Sequence, residues 1–92
     1  MRYVLEFTDN AIADIEKHKK SGNTVLLKKL EKIFLELMEH PTTGTGQPEK
    51  LKYELTGLYS RRINSKHRLI YSINNDVVSV QVLSAWSHYE DK

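Results

Sequence analysis

Cysteine is absent from the 92 residues. That excludes disulfides, thiol nucleophiles and thiolate metal sites, and it fits a reducing compartment. No apolar run approaches the ~20 residues that a membrane-spanning helix requires. The opening stretch "MRYVLEFTDNAI" breaks its apolar character at Glu6 and Asp9 and carries no small-residue cleavage site, so no signal peptide is expected. The expectation is a cytoplasmic protein without membrane association. Phosphate-cradling loops, a GxSxG elbow and a GxGxxG turn are also missing, which removes nucleotide hydrolysis and acyl transfer from consideration. The histidines, His18, His40, His67 and His88, form no HxH or HxxxH pair. Metal catalysis therefore has no sequence support, and neither a metal nor a cofactor is expected. With no repeat, linker or low-complexity segment, residues 1–92 read as a single small domain.

Charge is present in quantity and is unevenly spread. The formal net charge is +2, yet residues 47–72 hold six basic residues (Lys50, Lys52, Arg61, Arg62, Lys66, Arg68) against only Glu49 and Glu54. Tyr53, Tyr59, His67 and Tyr71 are interleaved with them. Such a segment suits a phosphate backbone with stacked bases, or else a solvated sheet face with ordinary aromatic packing.

The apolar pattern divides the chain in two. Residues 2–7 alternate as a strand, and Thr8 is placed to cap a helix over about 9–20 with Ile12 and Ile15 inward. Ser21-Gly22-Asn23 stops that helix. A second helix runs to His40-Pro41, with Leu26, Leu30, Ile33, Phe34, Leu37 and Met38 forming one wide stripe at steps of three and four. Beyond the loop 41–48 the period changes to two, predicting strands near 50–55, 58–63, 67–73 and 77–84 with turns at Thr56-Gly57, Asn64-Ser65 and Asn74-Asn75-Asp76. The expected fold is α+β: an N-terminal strand and two helices packed on one face of a twisted antiparallel sheet of about four to five strands. The other face is left for function. Alternation puts Arg68, Ile70 and Ser72 on that open face and His67, Leu69, Tyr71 and Ile73 beneath the helices. It also separates Arg61 from Arg62, so only one of the two reaches the open face, and Arg62 is favoured. A structural ion pair with Glu54 is the competing role for Arg68.

A carboxylate, several guanidinium groups, a lysine, a late histidine and a tyrosine suit metal-free RNA cleavage. That reaction needs a base for the 2′-OH, cations for the phosphate and an acid for the leaving 5′ oxygen. The stretch "GQPEKLKYELTGLYSRRINSKHRLIYSI" (Gly46 to Ile73), followed by His88-Tyr89, resembles the YoeB/Txe family of RelE-like bacterial toxins. The resemblance rests on Gly-x-Pro-Glu-x-Leu-Lys, Leu-x-Gly-x-x-Ser-Arg-Arg-Ile and His-Arg-Leu-x-Tyr in order. It departs from the family at Gln47 and Lys50, at Tyr59 where Trp is common, in a longer last hairpin, and in Glu90-Asp91-Lys92 after the His-Tyr pair.

The resemblance implies a ribosome-dependent mRNA endonuclease that cuts in the ribosomal A site. It also implies a YefM/Axe-like antitoxin partner, contacts with the 70S ribosome and mRNA, and leaves a homodimer open. Carried over by position, it makes Glu49 the general base, Arg68 the phosphate-stabilising cation and His88 the general acid, with Lys52, Arg62, Tyr89 and Arg61 assisting. Histidine suits the acid role because its unperturbed pKa, about 6.5, leaves part of it protonated near neutrality. The alternative is a non-catalytic module of the same fold that binds RNA or serves its antitoxin as a co-repressor. Trp86 is read as a packing anchor.

Overall fold

The structure, a computed structural model, describes residues 2–86. Its order is β1 (Val4–Phe7), α1 (Asp9–Ser21), α2 (Thr24–Glu39), β2 (Glu49–Lys50), a 3-10 turn at Tyr53–Leu55, β3 (Leu58–Arg62), β4 (Arg68–Asn74) and β5 (Ser79–Ser84). Thr8 caps α1, its hydroxyl accepting the Ala11 amide at 3.0 Å and donating to the Leu83 carbonyl at 3.0 Å. The cap thus also ties the helix start to the end of β5. Asn23 caps α2 by accepting the Leu26 amide, and Pro41 follows the helix closely, where its ring cannot continue a helix.

The strands form one sheet in the order β1-β5-β4-β3-β2. β2 through β5 are antiparallel neighbours as the alternation predicted. β1 departs from the expected antiparallel sheet by pairing parallel to β5, with Val4 opposite Ser79 and Phe7 opposite Val82. The two helices carry the chain from the β1 edge to the β2 edge, across one face.

That face is the core. Leu26, Leu30, Ile33 and Leu37 of α2 meet Leu69, Tyr71, Val80 and Val82 of the sheet, all buried. Each such aliphatic side chain contributes about 1.5–3 kcal/mol by leaving water. Phe34 packs edge-on to Phe7 at 5.3 Å between ring centroids.

Three expectations are corrected. Ile12 is half exposed, whereas Ile15 packs partly buried against the core as expected, and α1 also turns Ala11, Asp14 and His18 inward. The buried polar pair serves β5: Asp14 accepts the Ala85 amide at 3.0 Å and His18 Nε2 lies 2.7 Å from the Ala85 carbonyl. The strand expected over 50–55 shrinks to Glu49–Lys50, because Leu51 turns into the core and Tyr53 adopts a left-handed backbone, φ 59°, which no strand accommodates. The last strand begins at Ser79, not at 77, because the Asn74 side chain accepts the amides of Asp76 and Val77 and lengthens the turn.

Candidate active site

The face opposite the helices is built by register. Glu49 lies opposite Ser60 and Ser60 opposite Ile70, while one pleat further on Arg62 lies opposite Arg68. Side chains in such rows share a face. The Arg68 Nη1 stands 3.7 Å from a carboxylate oxygen of Glu49 and 3.4 Å from the Ser60 hydroxyl, to which it donates. The Glu49 side chain is 61% exposed and that of Arg68 only 26% exposed. The carboxylate that Arg68 meets is therefore Glu49, on the neighbouring edge of the site, and not Glu54. A pair this exposed and this long adds little stability, at most about 1 kcal/mol.

Arg62 and Arg68 are an arginine–arginine cross-strand pair. Like charges in that relation destabilise a sheet. Arg62 is exposed, and among the described residues its side chain makes no hydrogen bond or ion pair. Two guanidinium groups beside an accessible carboxylate can hold a phosphate and leave a base next to it.

Arg61, one residue earlier, points the other way, as the alternation predicted, and its burial corrects the reading of it as an RNA- or phosphate-binding group. Its side chain has no exposed surface and donates five hydrogen bonds: to Tyr71 Oη, to Glu36 Oε1 at 2.8 Å, and to the carbonyls of Thr45, His40 and Thr43. Burial works to raise the Glu36 pKa. Hydrogen bonds from the Thr45 hydroxyl and amide, together with Arg61, outweigh it and hold the carboxyl below its ordinary range. Burial pushes the Tyr71 phenol up, against the lowering effect of Arg61.

A profile of the YoeB-like toxins of bacterial type II toxin–antitoxin systems matches residues 7–89. The chain belongs to the YoeB family of type II toxins. Toxin YoeB of Streptomyces coelicolor is 32% identical over 85 residues, spanning 92% of this chain and 98% of that one. Among solved structures, the YoeB/ParE toxin of Agrobacterium tumefaciens superposes with a TM-score of 0.86 at 27% identity, covering 94% of this chain and 99% of that one. YoeB of Staphylococcus aureus has been solved as a dimer, TM-score 0.79 at 33% identity, and in complex with YefM, TM-score 0.76 at 34% identity. Each covers 97% of this chain and all of the other.

In this YoeB-family chain the remaining candidates are placed unequally. Lys52 follows β2 at the N-cap of the 3-10 turn and is exposed; its carbonyl accepts the Leu55 amide at 3.0 Å, and its side chain makes no hydrogen bond or ion pair among the described residues. His88 and Tyr89 lie outside the described residues. Trp86 leads toward them, with its ring 4.8 Å from that of His18 and 4.5 Å from that of His67, and with the Lys17 amine 5.0 Å above it. Its packing agrees with the anchor reading. Sequence reasoning missed Glu36 and Thr45. The available signal was a pair of glycines, Gly44 and Gly46, in a loop that had to meet something closely.

Proposed function

We propose that this toxin is a ribosome-dependent mRNA endonuclease that inhibits translation by cutting mRNA in the A site, without a metal. The observation that carries this reading is the exposed Glu49 carboxylate 3.7 Å from Arg68, with Arg62 as the cross-strand neighbour of Arg68. Glu49 takes the proton of a ribose 2′-OH, the 2′ oxygen attacks phosphorus, and the bond from phosphorus to the 5′ oxygen breaks. Arg68, assisted by Arg62 and Lys52, stabilises the added negative charge on the phosphoryl oxygens. His88 gives a proton to the departing 5′ oxygen, and Tyr89 assists it. The products are a 2′,3′-cyclic phosphate and a 5′-hydroxyl.

So small a domain leaves substrate positioning to the ribosome, which converts binding into alignment of the reacting atoms. The partner proposed for control is a YefM-like antitoxin with an acidic, disordered segment that folds onto the cationic surface. A homodimer is proposed on the strength of the dimeric relative. The proposed place of action is the cytoplasm. Among the described residues, no helix is long and apolar enough to cross a membrane.

The deciding experiment is single-turnover cleavage of an A-site codon in a programmed 70S complex, using protein freed of metal with EDTA. Wild type should cut. Glu49→Gln should slow cleavage about 10²–10⁴-fold and Arg68→Ala about 10²–10³-fold, with the fold and antitoxin binding unchanged. His88→Gln should fall comparably, and full activity in that variant would move the acid role to Tyr89. A wild type that binds ribosomes without cutting would establish the non-catalytic module instead.

A further inference from the structure

We infer that Arg61 is a positioning residue, whose guanidinium fixes the loop 41–48 from inside the core and so sets Glu49 beside Arg68. The inference rests on Glu49 being the base of the proposed reaction. Residues 41–48 contain no helix or strand, yet they are tied down at almost every second position. The Pro41 carbonyl accepts from Tyr71 Oη at 2.7 Å, and the carbonyls of Thr43 and Thr45 accept from Arg61 at 2.7 and 3.3 Å. Thr45 donates its amide and its hydroxyl to the two Glu36 oxygens at 2.8 and 2.7 Å. The Gly46 carbonyl accepts the Arg62 amide at 2.7 Å, three residues before Glu49.

The two glycines record how closely the loop is drawn in. A Cβ on Gly44 would strike the Glu36 carboxylate, and a Cβ on Gly46 would lie 2.5 Å from the Arg62 carbonyl oxygen. Both glycines have positive φ, 120° and 86°, so any other residue there would also be strained.

Stability alone is a poor reason for this arrangement. A buried ion pair costs desolvation, and well-packed apolar residues of similar volume often serve a core as well or better. What an apolar core would not supply is directed bonds: from Arg61 two reach the loop itself, at the Thr43 and Thr45 carbonyls, while three fix the guanidinium to His40, Glu36 and Tyr71. Strand alternation then makes the arrangement two-sided. Arg61 grips the loop beneath β3, while its neighbours Ser60 and Arg62 stand with Glu49 and Arg68 above it.

The test uses Thr45→Val, which deletes the hydroxyl bond to Glu36 but leaves the Arg61–Glu36 pair, together with Arg61→Lys, which keeps the charge but not the fork. In single-turnover cleavage the rate constant of Thr45→Val should fall about 10–100-fold at unchanged ribosome affinity, the size expected when a reacting group is displaced by a fraction of an ångström to an ångström. Introduced into Glu49→Gln, the same substitution should cause no further loss, because the group it misplaces is already gone. An equal loss in both backgrounds, or a folded Arg61→Lys protein with full activity, would overturn the inference. Two readouts stand apart from activity. Thr45→Val should speed hydrogen exchange at the Arg62 amide and shift the side-chain carboxyl ¹³C resonance of Glu49. If wild type does not cut at all, the proposed function fails, and these signals alone decide the positioning: unmoved, they overturn it.

Discussion

Tyr53 holds a left-handed backbone, φ 59°, while 90% of its surface is exposed. A side chain with a Cβ costs roughly 1–2 kcal/mol in that region, and a ring in water recovers little of it. Tyr53→Gly should therefore raise the denaturant midpoint, by up to about 1 kcal/mol in stability at unchanged m-value, since glycine's extra freedom in the unfolded chain offsets part of the relief. A clear loss of stability would show that the ring packs. Tyr53 is also where the sequence reading was least able to discriminate. Four aromatics were interleaved with the basic residues, and Tyr59 and Tyr71 became a stacked pair, 5.6 Å apart, against the core. Parity along a strand was legible, so Arg68 and Arg62 were correctly separated from Leu69 and Arg61. That a guanidinium would enter the core was not legible, because its partners come from α2, from a loop and from β4, segments that share no local pattern.

At the scale of elements, helix ends were written in local chemistry and were readable: Thr8, Asn23 and Pro41 each act within a few residues of themselves. Thr8→Ala should cost about 1–2 kcal/mol in chemical denaturation. Thr8→Ser should restore most of it, since the hydroxyl both caps α1 and reaches the Leu83 carbonyl. If alanine is tolerated without loss, the cap is not what fixes α1 against β5. The inward face of α1 was harder to foresee. Its periodicity pointed to Ile12, but what the helix supplies is Asp14 and His18, whose hydrogen bonds to Ala85 are set by where β5 ends. The edge strand was overread for a related reason. A period of two continues through Leu55, yet only Glu49 and Lys50 pair, because tertiary burial of Leu51 overrides the local preference. The resulting short strand still delivers Glu49 to the sheet edge.

For the molecule as a whole, the pair of buried Arg61 with partly buried Glu36 links stability to pH. The Glu36 carboxyl is held below its ordinary value of 4.5 in the folded chain. Its stabilising contribution is thus complete above that value and is lost as pH falls through the lower, folded one. Glu36→Gln should cost roughly 3–5 kcal/mol near neutrality, since it leaves Arg61 buried without its counter-charge. The difference from wild type should shrink steadily as the pH is lowered below 4.5, read from denaturation at each pH. A gap that persists in acid would assign the loss to packing. The parallel pairing of β1 with β5 has a consequence of another kind, for the order in which the sheet is completed. Val4–Phe7 emerge first during synthesis but find their partner only at Ser79–Val82. Loop-closure entropy is therefore met late, after β3 and β4 have joined through short turns. A chain interrupted before Ser79 has no place for its first strand and leaves β4 with an unpaired edge. Unfinished copies of the toxin thus lack a complete sheet, and the fold itself makes completion of translation a condition for assembling the protein that we propose halts it.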